Sequence, residues 1–285
     1  MSPGTVVLIR FPFTSLETTK KRPALVLAGM LSLTQTIDAQ DLEKDVETLF
    51  ASLMSDDPLV SEEAREELLL LGRRASPALA RHLQDKEAAT RYVICDLLGQ
   101  MSDAGVVPAV IERLKDEQSY MRSVRSAAAR ALGRLGDAKS APALIEAVKK
   151  TEDADLQYEA AVALGVLRAT EATDALVGLL SSDAKTYHEM LVAAAAAQAL
   201  GRLKAEKAVP EIARLLDKSL REMPTDRSLA YYAARALERI SGQTFGSLTQ
   251  SDETRDAAIA KWKEWVAARG GEKKPTDGEK GGASK

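Results

Sequence analysis

The chain has 285 residues, 45% hydrophobic, 28% charged and only 4% aromatic, and the apolar share is rich in Ala and Leu, which lose little side-chain freedom in a helix. A net charge of -3 and a pI near 5.7 exclude the global basic field that draws proteins to phosphate backbones or anionic membranes, so nucleic acid is not an expected partner. The single cysteine, Cys95, excludes an intrachain disulfide framework and any metal site that needs several thiolates.

In chain order, residues 5–13 read as a β-strand entering a turn at Pro12, residues 14–21 as a polar loop, and residues 22–27 as a second strand. The stretch from Pro3-Gly4-Thr5 through Phe11-Pro12-Phe13-Thr14, with Lys21-Arg22-Pro23 beyond the loop, is similar to the opening of MazF and PemK toxins. That resemblance covers about 25 residues and implies a fragment of a small barrel endoribonuclease, in which Arg22 would assist RNA cleavage. The family's other catalytic position, a threonine on a later strand, has no counterpart, so the fragment is expected to be inactive. An export signal competes for the same stretch: Lys20-Lys21-Arg22, the apolar residues 23–33, then Ile37-Asp38-Ala39 before Gln40, with cleavage after Ala39. Retention predicts a cytoplasmic protein and cleavage an exported one. Residues 1–29 thus stand apart, with 30–40 as a linker.

Residues 41–54 place Leu42, Val46, Leu49, Phe50 and Leu53 on one side of a helix, which predicts a cap at the front of a repeat array. From there a word recurs. Gly99 stands nine residues before Pro108, Gly133 nine before Pro142, Gly165 nine before Asp174 and Gly201 nine before Pro210, with 31 to 36 residues between successive members of the proline column. Two and six positions beyond that column lie Leu79 and Leu83, Val110 and Leu114, Leu144 and Val148, Leu176 and Leu180, Ile212 and Leu216. The preceding helix repeats the spacing in Ile94/Leu98, Ala128/Leu132, Ala160/Leu164, Ala196/Leu200 and Ala233/Leu237, which stacks side chains on one helix face. Each unit is therefore two amphipathic helices that bury their faces only by stacking on neighbours. Gly136 supplies a residue tolerant of a left-handed helix end, Asp137 a cap, and Pro142 sits where backbone donors are unpaired anyway.

The pattern from Ala128 to Asp137, followed by Ala141-Pro142-Ala143-Leu144, resembles the HEAT-like repeats of phycobilin lyases and many bacterial scaffold proteins, over about residues 41–245. The fold expected is all-α, an α-solenoid of about five helical hairpins with capping helices. The departures are Asp174 in the proline column, Glu238 in the glycine column and a shorter first turn from Leu71-Gly72 to Pro77. The resemblance implies a binding surface, and more remotely a lyase- or chaperone-like accessory role. At the back, Ser251 is expected to cap a helix running to about Arg269, with Ile259, Trp262, Trp265 and Val266 sealing the last hairpin. Residues 270–285 hold no large apolar side chain, which predicts a disordered tail.

A search for chemistry comes back empty. His188-Glu189 begins like a zinc protease helix, but Val192 stands where the second ligand belongs. His82 falls at a partly covered edge of its helix, and Cys95 in a column otherwise held by alanines, so it reads as packing. There is no Gly-rich phosphate loop, nucleophile elbow or dinucleotide fingerprint, and no apolar run reaches the roughly 18 to 20 residues of a membrane-spanning helix. No cofactor and no enzymatic activity are expected. In such solenoids the second helices generally line the concave side, so the candidate protein-binding residues are Arg81, Glu112, Lys115, Glu146, Lys149, Lys150, Arg214, Asp217 and Lys218. Their alternating signs suit a polypeptide of mixed charge rather than a phosphate backbone. The expected function is a non-catalytic scaffold that holds another protein.

Overall fold

A computed structural model describes residues 39–116, 123–221, 227–246 and 251–271. The strands expected in the first 28 residues, Arg22 among them, and the tail from residue 272 onward lie outside that set. Among the described residues the regular structure is helical throughout, apart from a single antiparallel bridge between Lys185 and Leu191.

The first helix, α1 (Ala39–Leu53), begins inside the stretch read as linker. Val46 and Leu53 are buried, and Leu42, Leu49 and Phe50 are packed against the core, so this helix closes the front as its spacing required. Six hairpins follow among the described residues. They pair α2 (Pro58–Leu71) with α3 (Ser76–Arg81), α4 (Ala88–Gln100) with α5 (Val107–Glu112), and α6 (Val124–Leu135) with α7 (Ala141–Lys150). Next come α8 (Ala154–Leu167) with α9 (Thr173–Leu179), α10 (Val192–Leu203) with α11 (Val209–Arg221), and α12 (Arg227–Ser241) with α13 (Asp252–Gly271). The described residues therefore hold one hairpin more than the sequence count of five, because α13 doubles as second helix and cap.

The turn word does what its chemistry allows. Gly136 takes a left-handed conformation (φ 72°), and the Asp137 carboxylate then accepts from the Lys139 backbone N–H at 2.9 Å to open a short 3-10 turn. Asp103 does the same for Gly105 at 2.9 Å. Pro77, Pro108 and Pro142 occupy the second position of their helices, where no intrahelical partner is lost. Asp174 fills that slot in α9 and places a carboxylate at the helix N-terminus instead.

Both apolar columns read from the sequence are buried, every member being at most 8% exposed. They form two layers of unlike character. Successive first helices (α4, α6, α8, α10, α12) lie directly on one another along their lengths, whereas their second helices touch sparingly. The cause is the glycine column. A Cβ added at Gly99, Gly133, Gly165 or Gly201 would stand 2.7–2.9 Å from the Cα of Ala131, Ala163, Ala199 or Ala236 on the next first helix. No real Cβ tolerates that approach, so glycine facing alanine sets the spacing of the layer. Glu238 holds the same column in α12 because no further first helix follows it among the described residues.

Ion pairs tie first helices to the segments that join one unit to the next. Arg91 Nε reaches Asp116 at 2.5 Å, and Arg125 Nη2 reaches Asp153 at 2.6 Å while that same carboxylate caps α8. At the back, Ser251 Oγ accepts from the Thr254 N–H at 3.2 Å to cap α13, which ends at Gly271 rather than Arg269. Trp262 is fully buried between Phe245 and Trp265, with ring centroids 4.6 and 5.6 Å away, so the tryptophan pair seals the last hairpin.

Candidate functional site

The residues expected to bind on the second helices are placed in an exposed but internally neutralised stripe. Arg81 is spent on α1, with Nη1 at 2.6 Å from Glu43 and Nη2 at 3.2 Å from Glu47. Lys115 pairs with Glu112 at 3.1 Å, Lys150 with Glu146 at 2.6 Å, and Arg214 approaches Glu211 at 3.8 Å. The hydrogen bond and charge of Lys150 hold the Glu146 carboxyl below its usual range, with Lys115 adding to the effect. Lys149 is exposed, and its charge helps to lower the carboxyl of Asp174, which is held chiefly by Lys207 at 2.7 Å. The side chains of Asp217 and Lys218 lie outside the described set, although the backbone of α11 spans both. Short-range pairs of opposite sign leave this stripe little field of its own.

The residues expected to take no part in chemistry, Cys95, His82 and His188, differ in their surroundings. Cys95 is buried and its thiol is pushed up to about 12, chiefly by burial, so almost no thiolate exists near neutral pH. The His82 ring stacks on Phe50 with centroids 3.6 Å apart and puts Nε2 3.0 Å from Glu47, which ties α3 to the front cap. His188 is exposed in the loop before α10. Among the described residues no group of three or more His, Cys, Asp or Glu is disposed to hold a metal, and no helix is long and apolar enough to cross a membrane.

The first-helix face is organised differently along its length. Toward the front it is an ion network: Asp96 accepts from Arg65 at 2.6 Å and from Arg134 at 3.0 Å, and Arg130 faces Glu159 at 3.8 Å, with Arg130 Nε left without a hydrogen-bond partner. Toward the back lies a largely uncharged pocket of about 160 Å3, lined by Tyr158, Met190, Leu191, Ala194, Gln198 and Tyr232, with Glu189 as its one charged residue. Burial raises the Tyr158 hydroxyl above its usual range, with smaller contributions from Tyr232 and Glu159. Tyr231 packs edge-on against Tyr232 at 5.4 Å and is 40% exposed.

One wall of this pocket is the loop between α9 and α10, which is longer than the other inter-unit turns and is held by its own bonds. The Thr186 and Met190 backbones pair at 2.9 Å, the Met190 N–H donates to Thr186 Oγ1 at 3.1 Å, and the Tyr187 N–H reaches the Asp155 carboxylate at 3.3 Å. The loop thereby presents Tyr187, 67% exposed, and Met190, 39% exposed, beside the pocket. Sequence reasoning missed this site. The signal was present in the columns six and five positions before the repeated leucine, which hold Tyr92, Tyr158, Tyr231 and Tyr232.

Beyond the pocket, at the C-terminal ends of α8, α10 and α12, an open cleft of about 400 Å3 is lined by Arg168, Arg202, Lys204 and Arg239 with no carboxylate among its walls. Arg168 (φ 54°) and Lys204 (φ 52°) end their helices in the left-handed conformation that Gly136 adopts in the equivalent place. A side chain with a Cβ costs about 1 kcal/mol there relative to glycine. The Arg202 stem lies over Gly165, and its Nη1 is buried without a hydrogen-bond partner. Three helix C-termini contribute roughly half a negative charge each, which leaves the four cations in clear excess.

Comparison with known proteins agrees with this architecture. The HEAT repeat family matches residues 76–165 and 121–189, and the PBS lyase HEAT-like repeat matches residues 192–218. No curated protein sequence matches the chain. Among solved structures it is similar to the complex of CpcE and CpcF of phycocyanin lyase from Nostoc sp. PCC7120, at 28% identity and a TM-score of 0.52 over 59% of this chain. The match spans 65% of that chain. An engineered protein gives 25% identity and a TM-score of 0.46 over 70% of this chain and 97% of its own. Human deoxyhypusine hydroxylase gives 17% and 0.39 over 85% and 99%. The glycine-spaced layer of first helices, the capped turns and the matched repeats together make this chain a HEAT-like α-solenoid.

Proposed function

We propose that the chain is a non-catalytic repeat scaffold that binds another polypeptide along the exposed face of its first helices, toward the back of the array. The observation that carries this reading is the pocket of Tyr158, Tyr232, Met190 and Gln198, flanked by the exposed Tyr187 and Tyr231. Tyrosine supplies large contact area at low entropic cost and a hydroxyl for orientation, and methionine adapts to its partner, which is the composition of a binding surface rather than of a solvated one. The first helices are the more closely packed of the two layers, which supports a continuous surface along them. The surface proposed here is on the opposite layer from the second-helix stripe expected from the spacing alone.

The similarity to CpcE and CpcF, which form a complex with each other, supports a protein partner. It also supports a second reading, an accessory protein of lyase type, for which tetrapyrrole-induced absorbance is the direct assay. The toxin-like reading has no support among the described residues.

The main reading is tested by affinity capture with the full chain followed by mass spectrometry. Y158A/Y232A is expected to lose its specific partners by about tenfold or more, the loss typical of two central aromatic anchors, while E146K/R214E retains them. The reverse pattern would return the interface to the second helices, and capture identical in all three would remove both surfaces.

A further inference from the structure

The cleft at the helix ends continues from the tyrosine pocket. Gln198 and Arg202 are successive turns of one face of α10, about 6 Å apart along the axis, and Tyr232 precedes Arg239 by two turns of α12, about 10 Å. Building on the reading that a polypeptide lies along this face, we infer that the cleft of Arg168, Arg202, Lys204 and Arg239 is where that polypeptide places acidic side chains.

Three independent observations support this. First, the walls carry four cations and no acid, whereas five cations elsewhere, Lys115, Lys150, Lys207, Arg235 and Arg269, each have a carboxylate within 3.2 Å. Among the described residues none of the four cleft cations has such a partner. Secondly, Arg202 Nη1 is withdrawn from solvent with its donor unused, a state that an incoming carboxylate oxygen would relieve. Thirdly, Arg168 and Lys204 keep long charged side chains at two left-handed helix ends, where the equivalent Gly136 shows that glycine suffices for the turn. Ser102 (φ 54°) holds the same place after α4 without a charge, so what sets this pair apart is that both strained helix ends put a cation into one cleft.

A polypeptide is favoured over a free anion because the cleft is open and runs into an aromatic pocket that a bare phosphate would not use. Guanidinium forks suit paired carboxylate oxygens. The expected ligand segment has an aromatic or aliphatic anchor followed within a few residues by Asp or Glu.

The test uses the full chain and a fluorescein-labelled hexaglutamate peptide, read by anisotropy at low ionic strength, with inorganic pyrophosphate as competitor. Wild type is expected to bind the peptide saturably and with strong salt dependence. R168G/K204G is expected to weaken binding about tenfold or more, with Tm equal to or above wild type, since glycine suits both backbone positions. R202Q is expected to weaken it as well, and K149A/K150A, on the other layer, to leave it within about twofold. No binding by wild type, or affinity unmoved by the cleft variants, would overturn the inference. Pyrophosphate displacing the peptide at far lower concentration than the peptide itself requires would reassign the cleft to a phosphate ligand. If cleft variants bind the peptide normally while Y158A/Y232A loses its captured partners, the inference falls and the scaffold reading stands. The opposite pattern has the opposite meaning.

Discussion

Asp96 sits among guanidinium groups that decide its protonation. Burial alone pushes its carboxyl up, but the hydrogen bond and charge of Arg65, with Arg134 and Arg130 behind, outweigh that and hold it below the usual 3.8. Glu159, facing Arg130 across a longer gap, goes the other way: burial prevails and its carboxyl lies above 4.5. The two make opposite contributions to stability. Asp96, lower in the folded state, contributes stability in full above pH 3.8, and loses it as pH falls through its folded value. Glu159, higher in the folded state, costs stability above its folded value, and that cost disappears as pH falls toward 4.5. D96N is therefore expected to destabilise by about 2 kcal/mol at neutral pH, the scale of a lost charged hydrogen bond, with the gap to wild type closing below pH 3.8. E159Q is expected to be neutral or stabilising at pH 7 and indistinguishable from wild type in acid. Urea midpoints measured across pH check both, and a D96N gap that persists unchanged in acid would refute the assignment.

At the scale of the element, the helix contacts that give the array its pitch are backbone against backbone. Gly133 in α6 and Ala163 in α8 leave no room for another methyl, since a Cβ at Gly133 would stand 2.9 Å from both the Cα and the Cβ of Ala163. Helix propensity alone would favour G133A by about 1 kcal/mol. Overpacking of a contact made by backbone, which cannot swing aside, costs about 1–3 kcal/mol, so the net outcome is expected to be destabilising. G178A, an exposed helical position with open space around its Cβ, is expected to be stabilising by up to about 1 kcal/mol. Thermal unfolding of the pair decides the matter, and equal stabilisation by both would mean that the glycine column does not set the spacing. Here the sequence was readable. Constant spacing exposed the Leu-Gly word, the capping Asp137 and the buried columns, because each follows from local helix geometry and a short turn. The tyrosine pocket and the cation cleft were not readable in the same way. They depend on which layer is exposed as a continuous face, and on a loop before α10 that folds back through Asp155 to frame the pocket. No single helix carries that information.

For the molecule as a whole, the same logic divides the array unevenly. Between α4 and α12 every adjacent pair of first helices meets through glycine on alanine. At the corresponding place in α2, directly after the buried Leu68, stands Leu69, and its bulk keeps α2 from lying along α4 as the later helices lie along one another. The front unit is attached instead through the turn after α3, the Arg65–Asp96 ion pair and the bond from Ser76 to Asp103. In a repeat protein, stability is close to a sum of unit terms and nearest-neighbour interfaces, so the weakest interface sets where the array opens first. Residues 39–84 are expected to open as a separate block, at a free energy roughly 2 kcal/mol or more below that of the stack from α4 to α12. Native-state hydrogen exchange resolved by peptide would show it as earlier exchange at Val46, Leu68 and Leu79 than at Leu132, Leu164 and Leu200, although all six are buried to 0% exposure. D96N should widen that difference by removing one of the attachments, whereas G133A should narrow it by weakening the stack itself. Uniform exchange from α1 to α12 would mean that the front unit is coupled as tightly as the rest, and that the glycine column has no part in setting cooperativity.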